Sequence, residues 1–178
     1  MKKIVTLAFI CLSVSLFAQK GIEKTITEII FNFLERVGIL WITNHINPAQ
    51  EHLATNIIRQ KIILGIEKLP QLQQYTKRIV LFMPEGEYHE IGILYVHFLL
   101  KQRGIYIDYL GANVPIIDLK YLTEVQKIDY LYCHITSPGK NFKVNKFFDQ
   151  LQQINKEVSI VLSGQVIQSY QGTVSSNI

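Results

Sequence analysis

The strongest constraint on the fold is a change of period at residue 77. Four short apolar runs follow it: Arg78–Met83, Ile105–Leu110, Tyr130–Ile135 and Val158–Leu162. Each is five or six residues, mostly of aliphatic and aromatic type, suited to a strand buried on both faces. Helical segments separate them: His89–Gln102, closed by Gly104, then Asp118–Gln126 and Phe142–Ile154. Strand and helix alternating through short links predict an α/β domain with a doubly wound parallel sheet over residues 77–178. Residues 165–178 have room for one more helix, whereas a five-stranded sheet of this kind needs a further strand. The expectation is therefore four strands, or a truncated C-terminus.

Upstream of residue 77 the pattern is helical. Ile22, Ile26, Ile29, Ile30, Phe33, Leu34 and Val37 recur at spacings of three and four, one face of an amphipathic helix. Thr25 and Glu28 form a capping box or lie on the solvated side. Gly38 ends this helix or gives close packing. Asn47-Pro48 starts a second helix, with Asn47 as N-cap and Pro48 at the first helical position, running to about Gly65. Pro70 breaks it, and residues 68–76 read as a linker. The expected organisation is an apolar segment at 1–19, a helical domain at 20–76 and an α/β domain at 77–178.

Residues 1–19 carry Lys2 and Lys3, a fifteen-residue mostly apolar run from Ile4 to Ala18, and small residues before Ala18. This is the form of a secretory signal peptide cut after Ala18 or Gln19, and it is too short for a comfortable membrane span. The alternative is a buried helix of the folded domain. Cys11 lacks the small residues that precede a lipid-anchored cysteine. The net charge of +4 falls to +2 without Lys2 and Lys3, which is too weak to indicate nucleic-acid binding. Two cysteines exclude a disulfide framework and a cysteine-rich zinc site.

In an open parallel sheet, ligands sit at the carboxyl ends of the strands. The four loops there are 84–89, 111–115, 136–141 and 163–165. The first carries Glu85, Glu87 and His89. A histidine with a carboxylate two residues before it suits a metal ligand, because the carboxylate accepts the second ring N–H, fixes the tautomer and raises basicity. An exposed polar turn is the alternative. Other chemistries lack their residues. Position 93 is Ile, so His89-Glu90 does not continue into a zinc-protease motif. His89 and His97 are about 12 Å apart along a helix, too far for one metal ion. No glycine-rich dinucleotide or phosphate loop occurs, and Ser137 and Ser163 stand outside a nucleophile elbow. Cys133, inside a strand, reads as packing.

The residues Glu87-Tyr88-His89-Glu90-Ile91-Gly92 resemble the E/D-x-H-x-x-G signature of cobalamin-binding domains, in which the histidine is the lower axial ligand of cobalt. The spacing of the remaining signature also holds. Forty-one residues separate Gly92 from His134-Ile135-Thr136, which stands for S-x-L, and twenty-six separate Thr136 from Ser163-Gly164, which stands for a glycine pair. Gly111-Ala112-Asn113-Val114-Pro115 looks like the family's loop along the nucleotide tail. In the helical segment, Trp41, nine residues, then Glu51-His52 resembles the W-x9-EH motif of the cap in cobalamin-dependent MerR-type regulators, the CarH and LitR photoreceptor group. Light-sensing members carry a histidine directly after the tryptophan; this chain has Ile42, with His45 offset by about one helical turn.

The resemblance implies a helical bundle cap joined to a flavodoxin-like, cobalamin-binding α/β domain, without a DNA-reading domain. It implies base-off cobalamin with His89 as the cobalt ligand and Glu87 as its partner. Trp41, Glu51 and His52 contact the upper face. Gly92 belongs to the cofactor-binding signature, and Gly111, Ala112, Asn113, Val114, His134, Thr136, Ser163 and Gly164 line the tail. The expected role is sensory, as part of a transcriptional regulator, with no turnover, no direct DNA contact, no stable membrane span and a homo-oligomer as one possible state. A corrinoid shuttle subunit for methyl transfer and a degenerate fragment that no longer binds ligand are the rivals. A cytoplasmic location fits the sensory role; export fits residues 1–19.

Overall fold

The computed structural model describes residues 21–71 and 74–172. The signal-like run 1–19, Cys11 and residues 173–178 lie outside the described residues. The chain divides into two compact units, one ending at Lys68 and the other starting at Leu69.

The helical unit begins with a continuous helical stretch: α1 (Ile22–Thr25), a π-helical turn (Ile26–Ile30) and α2 (Phe31–Ile42). Ile26, Ile30 and Val37 are buried, as the spacing of apolar residues predicts. Thr25 is not an N-cap. It is buried within the first turn, and its hydroxyl donates back to the Gly21 carbonyl at 2.9 Å. Gly38 neither ends the helix nor packs closely: the helix continues to Ile42, and a Cβ added at Gly38 would meet nothing within 4 Å.

The second helix, α3 (Pro48–Glu67), starts as its sequence dictates. Asn47 Oδ1 accepts from the Gln50 N–H at 2.9 Å, and Gln50 Oε1 accepts from the Asn47 N–H at 3.0 Å. This reciprocal pair satisfies two N–H groups that the helix itself leaves open. Ala54, Ile62, Gly65 and Ile66 are buried. A Cβ at Gly65 would lie 2.7 Å from the Ile22 side chain, so here a glycine does permit close helix packing.

The second unit has the element order β1 (Arg78–Pro84), α4 (Ile91–Gln102), β2 (Tyr106–Val114), α5 (Ile116–Val125), β3 (Tyr130–His134), α6 (Val144–Leu151), β4 (Ser159–Ser163) and α7 (Gln165–Ser169). All strand pairs are parallel, in the order β2-β1-β3-β4. The unit is the doubly wound α/β fold that the alternation predicts, with four strands among the described residues. Helix α4 closes with Gly104 at φ +73°; the N–H of Gly104 bonds to the Lys101 carbonyl and that of Ile105 to the Leu100 carbonyl. These paired bonds form a Schellman motif, and glycine carries its left-handed residue without steric cost.

Strand β1 is central, and Val80, Leu81, Phe82 and Met83 are all fully buried. Val80 and Phe82 enter the larger core with Leu119 of α5, Leu131 of β3, and Phe147, Phe148 and Leu151 of α6. Leu81 and Met83 face the other way, onto Ile93 of α4. The alternation follows from the two-residue period of a strand, and right-handed crossovers place the helices on opposite faces.

One expectation fails locally. Residues 111–113 are not a loop after a short strand, since β2 continues through them to Val114. Its pairing with β1 is irregular between Leu81 and Pro84, and Gly111 (φ +82°) and Asn113 (φ +59°) take left-handed conformations inside the strand. The strand thus bends without ending, as at a bulge.

Candidate functional site

The chain leaves β1, goes outward to β2, and returns across to β3. The switch point of the sheet therefore lies between the carboxyl ends of β1 and β3, where such folds form a crevice. Glu87 occupies the loop at that point, and its side chain is wholly buried. Oε1 accepts from the N–H groups of Tyr88 at 2.9 Å and His89 at 3.0 Å, and meets Nδ1 of His89 at 2.5 Å. Oε2 accepts from the N–H groups of Thr136 and Ser137, both at 2.7 Å. Burial by itself pushes this carboxyl up. The His89 imidazole and the backbone donors of His89, Ser137 and Thr136 outweigh it and hold the pKa at about 2, against an ordinary 4.5. Glu87 is thus an anion at neutral pH.

The consequence falls on His89. Its Nδ1 is turned to the carboxylate, while its side chain is 57% exposed. This fixes Nδ1 as the protonated nitrogen and leaves Nε2 as the Lewis-basic atom of the ring.

The neighbouring loops are tied to the same place. The Gly86 N–H donates to Asn113 Oδ1 at 3.0 Å, the Asn113 N–H to the Glu87 carbonyl at 3.2 Å, and the Gly139 N–H to the Gly86 carbonyl at 3.0 Å. Gly111 is buried, with its Cβ position 3.6 Å from Glu90 Oε1. Glu90 also accepts from the Tyr109 hydroxyl at 2.8 Å. Ala112 packs on the smaller core and Val114 is buried in the larger one. Thr136 acts through its backbone.

On the β4 side, His134 Nδ1 lies 2.8 Å from Ser163 Oγ, and Ser163 Oγ donates to the Cys133 carbonyl at 3.3 Å. Burial lowers the His134 pKa, the Glu87 charge opposing it to a lesser degree, which favours the neutral ring. The His134 ring sits directly over Gly92: a Cβ there would come within 2.3 Å of Nε2. Gly164 has φ +101°, and its Cβ would lie 2.3 Å from the Ile135 carbonyl oxygen. Cys133 is buried, and burial first, then the Glu87 charge, raises its thiol pKa well above the ordinary value. This agrees with packing, not nucleophilicity.

In the helical unit, Trp41 lies in the last turn of α2 and is 51% exposed, beside the exposed Ile39, Leu40 and Ile42. Glu51 and His52 lie in the first turns of α3. Glu51 Oε1 accepts from the Thr55 hydroxyl at 2.6 Å, and Oε2 pairs with His52 Nδ1 at 2.9 Å. His45 lies in the turn after α2, its Nδ1 2.9 Å from the Thr43 hydroxyl.

The structure therefore brings Glu87, His89, Gly92, Asn113, His134, Thr136 and Ser163 to one end of the sheet, and joins Glu51 to His52. Sequence reasoning missed Ser137, Gly86 and Gly139 as parts of the site. Ser137 and Gly139 are seen only after folding, because they act through main-chain N–H groups some fifty residues from their acceptors.

Residues 10–64 match the family model described as the B12 binding domain. The match takes in most of the helical unit and none of the α/β unit. The match begins inside the run read above as signal-like, so the family model counts part of that run as domain sequence. Over 96 residues, 54% of this chain, the protein is 30% identical to the HTH-type transcriptional repressor CarH of Myxococcus xanthus. Over 70 residues, 39% of this chain, it is 34% identical to the repressor CarA of the same organism. These alignments span 31% and 24% of the repressors' own lengths. A solved structure, the Methanosarcina barkeri monomethylamine corrinoid protein, has the same fold, with a TM-score of 0.71 and 16% identity over 93% of this chain and 83% of that one. The chain thus resembles the cobalamin-binding part of MerR-type regulators, and cobalamin is the cofactor class the match assigns. No helix among the described residues is long and apolar enough to cross a membrane.

Proposed function

We propose that this chain binds cobalamin with its own base displaced, His89 serving as lower axial ligand of cobalt, and acts as the sensory part of a transcriptional regulator. The observation that carries the reading is the buried Glu87 anion holding the exposed His89 ring by Nδ1. A single oriented imidazole suits a metal whose equatorial positions a macrocycle already fills. When bound, cobalamin would supply a cobalt centre able to take an imidazole nitrogen, and His89 is the residue that would offer it. The chain's residues bind and orient. Glu87 sets the tautomer and basicity of His89, while Asn113, Thr136 and Ser137 hold the loops around it. From the W-x9-EH motif, Trp41, Glu51 and His52 are assigned to the upper face. None of these groups has a role in turnover. Sensing follows if cobalamin has different affinities for two arrangements of the chain, since a ligand shifts populations only by that difference.

The test is the visible spectrum of purified protein mixed with adenosylcobalamin. The wild type is expected to give a base-off, histidine-ligated spectrum. His89→Ala, at an exposed position and with its fold checked by circular dichroism, is expected to lose the ligated form. An identical spectrum for the variant removes His89 from the cobalt.

A further inference from the structure

The hollow that Gly92 leaves at the start of α4 is filled. The His134 ring lies on the Gly92 backbone, with Nε2, Cε1 and Cδ2 at 2.3, 2.9 and 3.0 Å from the Cβ position. The far side of the ring is anchored to Ser163 at 2.8 Å, and Ser163 in turn to the Cys133 carbonyl at 3.3 Å. Gly164 offers no replacement space, because the Ile135 carbonyl occupies the position its side chain would take. Both histidines belong to the same wall. His89 is three residues before Gly92, and His134 is two residues before Thr136, which binds the Glu87 carboxylate.

When a protein imidazole replaces the lower base of a corrinoid, the displaced nucleotide stays tethered to the ring. It needs room on the side from which the imidazole approaches, which here is the side of His89. We propose that His134, latched to Ser163, closes this room and is the residue by which the chain discriminates between corrinoids with and without a nucleotide tail. The inference rests on the cobalamin reading given above. A tailed corrinoid enters only after the His134 ring leaves Gly92 and breaks its hydrogen bond to Ser163. A tailless corrinoid leaves the latch closed.

The experiment is an absorbance titration of the full chain with cobalamin and with cobinamide, the corrinoid lacking the nucleotide loop, for wild type, His134→Ser and Ser163→Ala. Cobinamide has no internal base to displace, so the readout is the change in the affinity ratio on substitution, not the ratio itself. His134→Ser is expected to tighten cobalamin binding about fivefold to tenfold, the scale of one neutral hydrogen bond that no longer has to break, with cobinamide altered less than about twofold. Ser163→Ala, which frees the ring without emptying its position, is expected to move the ratio in the same direction by a smaller factor, and serves if His134→Ser does not fold. An unchanged ratio in both variants, with both corrinoids bound, overturns the latch and leaves the cobalamin reading standing. Absence of binding by either corrinoid to all three proteins overturns both.

Discussion

Replacing Glu87 by glutamine tests the electrostatic core of the site. The carboxyl is held at about 2 where 4.5 is ordinary, a difference that corresponds to about 3 kcal/mol of stability. Because the folded-state pKa is the lower one, the stabilisation is complete above about pH 5. It is lost as the pH falls from 4.5 towards 2. In Glu87→Gln the carbonyl can serve one pair of N–H donors, but the amide N–H groups then face the other pair, which are donors too. A protonated Glu87 suffers a similar conflict. The wild type is therefore expected to exceed the variant by about 3 kcal/mol at pH 7, the difference shrinking to about 1 kcal/mol near pH 2.5. All other acids titrate in both proteins and cancel. All nine tyrosines lie beyond residue 69, and the single tryptophan is Trp41. Urea unfolding followed by near-ultraviolet tyrosine dichroism thus reports on the α/β unit. A difference that stays constant from pH 7 to 2.5 would refute the reasoning, because it would mean that Glu87 contributes by shape and not by charge.

Two further expectations concern the scaffold. Asn47→Ala removes one half of the reciprocal cap of α3 and is expected to destabilise the helical unit by about 1 kcal/mol, measured by Trp41 fluorescence in urea; a change below 0.3 kcal/mol counts against the cap. Two glycines should respond in opposite directions. Gly164→Ala meets the Ile135 carbonyl at φ +101° and is expected to cost about 3 kcal/mol or more. Gly38→Ala, in open space within α2, is expected to raise stability by about 1 kcal/mol. Melting curves of the two variants check the pair, and equal shifts would sink the argument.

The legible parts of this protein are those set by local rules. Asn47-Pro48 and Gln50 define a helix start within four residues, and the sequence is enough to find it. The run 79–83 is apolar throughout because both its faces are buried, and that is enough to mark it as a buried parallel strand. Gly111 and Asn113 misled for the same local reason: both residues favour turns, and only pairing with β1 shows that the strand bends there and goes on. Gly38 looked like a stop although nothing around it requires one. At the site, Glu87 and His89 were legible as a pair two residues apart. The donors from Thr136 and Ser137 were not, since any residue except proline carries an N–H and the sequence does not say which will be aimed. The His134 ring over Gly92 was equally hidden, because it depends on two residues forty-two positions apart meeting across the sheet.

The many-stranded grip on Glu87 also has a kinetic meaning. The Glu87 carboxylate that takes the His89 Nδ1 sits in the segment after β1 and is shared with the segment after β3. The two stretches therefore loosen as one cooperative event and not as independent flickers, so the carboxylate that orients the imidazole is as durable as the junction itself. Whatever the crevice takes up, the ordering cost of these two loops was met when the chain folded.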